Sequence, residues 1–256
     1  MKRYRAIAEY YDAENESHAM LEQDVPFFLG HLPRRRQSVL ELAAGTGRAA
    51  IPIAQAGHRV VGVDYAPDVL AIAERKRDAV GLRERELRLV RADILKLDLG
   101  ERFDWICIFF NTFLNFTTLK EQDRLLQRVR THLKPRGRFW MDVFLPNPDL
   151  LVRPARDIEP QIFHVHSLNR TVMKTTQITP HPAGQMQHVT FHFTWIDEYT
   201  ERHEEKVEMD LTYFFPRELQ MLLERNGLKL ERMYGNYDGS KVNDDSPRMI
   251  ALCCLA

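Results

Sequence analysis

The chain of 256 residues carries 36 Lys and Arg against 36 Asp and Glu, so its formal charge is zero at pH 7 with His neutral. That balance argues against a nucleic-acid partner, which needs a basic face, and the cysteines (Cys107, Cys253, Cys254) show neither zinc-ligand nor disulfide-framework spacing. No apolar run is long enough for a bilayer and the N-terminal MKRYRAIAEYYDAENE has no apolar signal region, so a cytoplasmic protein with no membrane partner is expected.

Residues before Pro33 read as two helices, with Tyr4, Ile7, Ala8 and Tyr11 on one stripe and Met20, Leu21, Val25 and Phe28 on the other; Tyr10-Tyr11-Asp12 is read as breaking the first. Arg34-Arg35-Arg36 reads as a solvated loop. The run from Ser38 to Asp64 is then strand, glycine turn, helix and strand: Val39, Leu40 and Leu42 enclose Glu41, Gly45-Thr46-Gly47 follows, a helix is expected over Arg48 to Gln55, and a β-branched strand ends on Asp64. This is a βαβ unit, and ligands bind in the crevice at the carboxyl ends of its strands. Gly45, Gly47 and Ala50 also satisfy a loose dinucleotide fingerprint, which makes a nicotinamide-dependent oxidoreductase the alternative. Glu41 decides between them. A carboxylate at the mouth of the turn repels a pyrophosphate and attracts a ligand bearing an ammonium, a sulfonium and a ribose, while Asp64 accepts from both ribose hydroxyls. The electrostatics favour S-adenosylmethionine.

After Asp64, Pro67 suits a first helical turn and Val69, Leu70, Ile72 and Ala73 give the helix its buried face; Tyr65 is placed to stack on the adenine. A third strand, Leu87 to Arg91, leads into Asp93 and Ile94. Together, Glu41-x-Ala43-x-Gly45-Thr46-Gly47, the strand-terminal Asp64 and the VRADIL segment resemble the motifs of class I S-adenosylmethionine-dependent methyltransferases, with Ala43 where that family usually has its first glycine. The resemblance runs from about Val39 to Phe144. It implies a doubly wound, Rossmann-like α/β fold with a seven-stranded sheet whose last strand is antiparallel. It also implies that Asp93 bonds the adenine amino group, that Ile94 packs on the ring, and that Tyr11, in a Tyr-Asp pair similar to one found before the core of many small-molecule members, lies over the cofactor.

Phe103 to Phe110 is an apolar fourth strand of the doubly covered kind. Asn111 and Asn115, just past it, occupy the catalytic position by fold geometry; their other reading is as caps for a helix starting near Leu119. No Asn-Pro-Pro-Tyr-type motif stands there, which argues against nucleobase or protein-amide substrates. Phe110 is expected beside the cofactor, with Phe113, Phe116 and Phe144 as aromatic walls. Lys134 to Gly137 reads as a turn, Arg138 to Phe144 as strand five, and Pro146 to Pro160 as a loop leaving the core. From Gln161 to Phe215 helical periodicity gives way to strand alternation, as in Val207, Met209, Leu211 and Tyr213, with a hairpin turn at Pro180 to Gly184. An antiparallel sheet of three to four strands is therefore expected as a lid or substrate wall.

Six histidines fall in this insertion (His164, His166, His181, His188, His192 and His203), but no accompanying carboxylate shows ligand spacing, so no metal is expected. Pro216 to Asn226 is a helix stopped by Gly227, and Leu228 to Tyr234 and Arg248 to Leu255 are paired late strands. The expected organisation is a cofactor-binding core over 1–145 and 216–256 with an inserted β subdomain over 146–215. The expected function is methyl transfer from S-adenosylmethionine to an N or O nucleophile of a small molecule, by a monomer or homodimer. Acceptor contacts are assigned to Phe113, Phe144, Tyr213 and Tyr237. A non-catalytic cofactor-binding module is the other reading.

Overall fold

The computed structural model describes residues 3–16 and 20–256. The chain order is α1 (Arg3–Asn15), α2 (Leu21–His31), β1 (Ser38–Leu42), α3 (Ala50–Gln55), β2 (Arg59–Asp64), α4 (Pro67–Ala79), β3 (Leu87–Arg91), β4 (Phe103–Ile108), α5 (Leu119–His132) and β5 (Leu133–Phe144). Then come α6 (Pro148–Leu151), β6 (Arg156–Val165), β7 (Arg170–His181), β8 (Met186–Ile196), β9 (Arg202–Thr212), α7 (Pro216–Arg225), β10 (Leu228–Tyr234) and β11 (Arg248–Leu255).

A seven-stranded sheet has the order β10-β11-β5-β4-β1-β2-β3. Strands β1 to β5 are parallel, and β11 runs antiparallel to both its neighbours. Apolar clusters cover both faces. One joins β1, β4 and β5 to α5 and α7 through Leu125, Leu126, Val129, Leu219 and Leu223. The other packs Phe28 of α2 and Ile51 and Ile53 of α3 against Val39, Trp105 and Trp140. Burial on both sides is why β4 reads as an unbroken apolar run. A separate four-stranded antiparallel sheet, β6-β7-β8-β9, is formed by the chain between α6 and α7.

Helix α1 joins the two sheets. Ala8 packs with Ala66, Val69 and Ile72 of the α4 segment. Tyr10 is 3 % exposed and sits 5.4 Å from the Phe193 ring and 6.2 Å from Trp195. Its hydroxyl accepts from Arg170 at 3.0 Å, and Lys174 of β7 pairs with Glu14. The helix therefore runs unbroken through Tyr10-Tyr11-Asp12, against the sequence expectation, because these side chains fall on faces that each have something to pack on.

Other local readings are also corrected. Helix α3 begins at Ala50 rather than Arg48, because the turn takes the intervening residues. Strand β4 stops at Ile108, and Phe110 and Asn111 follow with φ of 46° and 64°. Neither Asn111 nor Asn115 caps α5. Thr118 and Glu121 do, in a reciprocal capping box. Lys134 to Gly137 is absorbed into β5 as an irregularity, the pairing jumping from Phe103–Leu133 to Trp105–Arg138. The expected loop up to Pro160 holds α6 and the start of β6, and Pro160 lies where the β6–β7 register slips between Ile158 and Gln161. A proline is tolerated on such an edge strand because no ladder hydrogen bond is needed there.

Candidate active site

The turn after β1 is built by backbone conformation. Ala43, Gly45 and Gly47 have φ of 58°, 54° and 79°, left-handed values that are natural for glycine and strained for alanine. A Cβ on Gly62 of β2 would lie 2.9 Å from the Ala44 Cβ, so glycine there lets the turn settle onto the neighbouring strand.

Two carboxylates face this turn. Glu41 is 4 % exposed. Its carboxylate accepts from the Ala50 backbone N–H, while Oε2 is buried with no hydrogen-bond partner. Burial lifts its pKa to about 8, aided by Asp24 and Asp64 and opposed by Arg48. A buried carboxylate oxygen without a donor costs free energy unless a ligand supplies one. Asp64, 8 % exposed, accepts through Oδ2 from the Gly45 N–H at 3.0 Å and through Oδ1 from the Ala66 N–H at 2.9 Å. Burial raises its pKa and these bonds oppose the rise. The Tyr65 N–H also bonds this carboxylate, and the lone-pair capacity that remains can accept from a ribose hydroxyl.

Residues that the sequence reading missed hold this pair in place. Arg48 forks onto Asp24 with bonds of 2.9 and 2.6 Å and also bonds the Tyr11 side chain, whose pKa burial raises. Asp12 accepts from Thr46 Oγ1 at 2.7 Å and from Lys76 Nζ at 3.0 Å. Helix α1 thus sits directly on the turn. The Asp24–Arg48 pair had no local signature, since its members lie on different elements.

Of the other expected cofactor contacts, Tyr65 follows Asp64 on the surface, 40 % exposed. Asp93 is exposed, its Oδ1 accepting from the Leu95 N–H at 2.9 Å, and Ile94 is buried behind it at 9 % exposure. Phe110 lies at the β4 tip beneath Arg248, whose guanidinium carbon is 5.4 Å from the ring centroid.

The expected catalytic and acceptor residues are used more internally. Asn111 Oδ1 accepts from the Phe144 N–H at 2.7 Å and from Arg248 at 3.2 Å. Asn115 is exposed and donates to the Thr112 carbonyl. Phe113 is fully buried against Phe214, with ring centroids 5.9 Å apart. Tyr213 is 2 % exposed with its ring edge-to-face on Phe215. Tyr237 is 6 % exposed and its hydroxyl donates to Asp142 Oδ2 at 2.5 Å. Phe144 keeps part of its surface open. Asp142 also accepts from Arg248 Nε at 2.5 Å, so a buried ion pair holds the ends of β5, β11 and the β4 loop together.

Among the described residues, Asp197, Glu201 and His203 bring ligand-type atoms within 4.8 Å of one another. All three lie within the short stretch from Asp197 to His203, which corrects the expectation that no carboxylate accompanies a histidine of this insertion. Asp197 already accepts from His203 and from the Tyr199 and Glu201 N–H groups, and His203 stacks on Trp195 at 5.4 Å. None of the described helices is long and apolar enough to cross a membrane.

Residues 39–137 match the family model described as a methyltransferase domain. The chain is 28 % identical over 228 residues to cypemycin N-terminal methyltransferase of a Streptomyces species, covering 89 % of this chain and 87 % of the relative. It is 30 % identical over 136 residues to dTDP-3-amino-3,6-dideoxy-alpha-D-glucopyranose N,N-dimethyltransferase of Streptomyces fradiae, covering 51 % of this chain and 50 % of that one. In fold it is similar to the CcbJ methyltransferase from Streptomyces caelestis, with a TM-score of 0.79, 21 % identity and coverage of 99 % and 96 % of the two chains. The donor set fits S-adenosylmethionine: an orphaned buried carboxylate oxygen for its ammonium and a second carboxylate with free lone pairs for its ribose. The glycine turn, the strand-terminal acids and the matching methyltransferase domain thus meet on one crevice, and the chain has the fold and the cofactor site of an S-adenosylmethionine-dependent methyltransferase.

Proposed function

We propose that this enzyme methylates a small molecule at nitrogen or oxygen, with an amine the favoured acceptor. The observation that carries the reading is the position of α1, which lies on the glycine turn and is fixed to the second sheet by Tyr10 and Lys174. A helix laid over the turn in this way suits a compact acceptor better than a polymer. The names of the two curated relatives add support, since one describes N-terminal methylation and the other N,N-dimethylation of an amino sugar. Residues 146–215 would form the acceptor wall, and 1–145 with 216–256 the cofactor core.

In this reading Glu41 takes the ammonium, the turn from Ala43 to Gly47 wraps the methionine moiety and Asp64 takes the ribose. Tyr65, Asp93 and Ile94 frame the adenine, and Tyr11 and Phe110 close over the centre. When bound, the cofactor would supply a sulfonium methyl for in-line attack by an acceptor lone pair, the carbon–sulfur bond breaking to leave a neutral thioether. The residues' task is alignment, which is worth roughly 7–11 kcal/mol in favourable systems. Positive charge moves from sulfur to nitrogen without net creation, so Phe110 and Phe144 can attend it with their ring faces. The Asn111 carbonyl is committed to Phe144 and Arg248, which leaves its amide N–H groups to orient an acceptor; Asn115 stands at the exposed rim.

The test is methyl transfer from radiolabelled S-adenosylmethionine to panels of primary and secondary amines and matched alcohols. Amine products at rates above the alcohols are expected, with loss of turnover in Asp64→Ala. Labelling confined to protein or nucleic acid would overturn the reading.

A further inference from the structure

A second cleft lies far from the chemistry. Its volume is about 780 Å³, and it is lined at the amino ends of β1, β4 and β5. The cofactor turn follows the carboxyl end of β1, one strand length away, roughly 17 Å. The cleft is therefore separate from both the cofactor and the acceptor.

Its lining carries four permanent cations, Arg35, Lys134, Arg136 and Arg138, against two carboxylates, Asp104 and Glu231. The carboxylates are already used. Asp104 Oδ2 pairs with Lys134 at 3.0 Å and accepts from the Ser38 N–H and hydroxyl, while Glu231 pairs with Arg138 at 2.5 Å. The His31 ring is held at both nitrogens, Nδ1 lying 2.8 Å from the Phe27 carbonyl and Nε2 3.0 Å from the Tyr234 hydroxyl. The guanidinium groups of Arg35 and Arg136 have no hydrogen-bond or ion-pair partner among the described residues.

The two arginines stand on a fixed base. The Gln37 side chain, 4 % exposed, donates to the Arg35 and Arg36 carbonyls at 2.8 and 3.2 Å. Pro33 stiffens the loop before β1, and Pro135 fixes the backbone in the irregular start of β5. Between them, Trp105, Leu252 and the prolines give the cleft an apolar floor.

We propose that this cleft binds a small phosphate-bearing ligand, with Arg35 and Arg136 on the phosphate oxygens and an apolar or ring-bearing portion on the Trp105–Leu252 floor. Arginine matches phosphate geometry with paired N–H donors. The cations are confined to a cleft rather than spread along a face, and the chain as a whole carries no net charge, which favours a compact anion over a nucleic-acid backbone. Neither the methyl acceptor nor the cofactor enters this inference.

The experiment is calorimetric titration of the full chain, saturated with S-adenosylmethionine, at 0.15 M salt, using pyrophosphate, adenosine diphosphate, adenosine and a single-stranded oligonucleotide as probes. Expected are binding of pyrophosphate, at least fivefold tighter binding of adenosine diphosphate, and none of adenosine. The Arg35→Ala/Arg136→Ala double variant should weaken both anions at least tenfold while cofactor affinity holds. Both residues are exposed, so folding is not at issue. An Arg202→Ala/Arg217→Ala control, at exposed arginines elsewhere, should bind as wild type. The proposal is overturned by absence of binding below millimolar pyrophosphate, by equal losses in the control, or by preference for the oligonucleotide over both small anions.

Discussion

At the scale of single residues, the unusual feature is Glu41. Its carboxyl lies in the core with one oxygen orphaned, and its pKa is raised to about 8. An acid with a raised native pKa binds more protons folded than unfolded across the window between its two pKa values. Stability therefore falls as pH climbs from about 4.5 to about 8. This is the opposite of a salt-bridged carboxylate. Glu41→Gln removes the liability, so the cofactor-free variant should be more stable than wild type at pH 9 by roughly 2–5 kcal/mol and nearly equal at pH 4.5, read by chemical denaturation. A pH-independent difference would show that Glu41 is not held protonated. Ala43 makes a second residue-scale case. With φ of 58°, Ala43→Gly should be neutral or stabilising by up to about 1 kcal/mol, while Ala43→Val should lose about 2 kcal/mol or more. Paired melting curves decide it, and an Ala43→Gly loss larger than that of Ala43→Val would contradict the strain assigned to this turn.

At the scale of elements, α1 couples the two halves of the site. It touches the turn through Asp12 and Tyr11, α4 through Ala8, and the second sheet through Tyr10. Tyr10→Ala leaves the seven-stranded sheet untouched and removes the ring that seats α1 between Phe193 and Trp195. Hydrogen exchange should show α1 amides at least tenfold faster, with β4 and β5 amides unchanged. Uniform acceleration would mean that α1 belongs to the global core instead. The Asp24–Arg48 pair behaves differently, because the Asp24 side chain is 0 % exposed. Arg48→Ala strands a buried charge and should cost about 3–5 kcal/mol, whereas Asp24→Asn/Arg48→Met should recover much of it. Denaturant midpoints for both variants check this.

At the scale of the whole molecule, what was legible in the sequence follows from how local the causes are. Glu41, Gly45, Gly47 and Asp64 belong to one βαβ unit, and strand alternation plus a glycine turn places them together without tertiary knowledge. The same holds for α7, with Pro216 at its start and Gly227 (φ 71°) after its end. Thr118-x-x-Glu121 is a capping box legible in the sequence itself, and it, rather than either asparagine, starts α5. Pro160 hid the first half of β6, because only its edge position makes a proline tolerable. Pairs distant in sequence were invisible. Arg248 and Asp142 are 106 positions apart, and nothing local to either says that they meet, or that Tyr237 spends its hydroxyl on the same carboxylate. The aromatics expected at the acceptor illustrate the same limit, since Phe113 and Phe144 look alike in sequence and only packing separates the buried ring from the open one.

The central claim is that a cationic nucleoside completes the buried carboxylate Glu41. With its carboxyl largely protonated at pH 7 before binding, arrival of the cofactor's ammonium should expel that proton. Calorimetric titration of S-adenosylmethionine at pH 7 in buffers of different ionisation enthalpy measures this directly. Expected is release of close to one proton per cofactor in wild type, with affinity rising toward pH 8 and levelling above it, and at least a hundredfold weaker binding with no proton release in Glu41→Gln. Tight binding without proton release, and unchanged in Glu41→Gln, would contradict it.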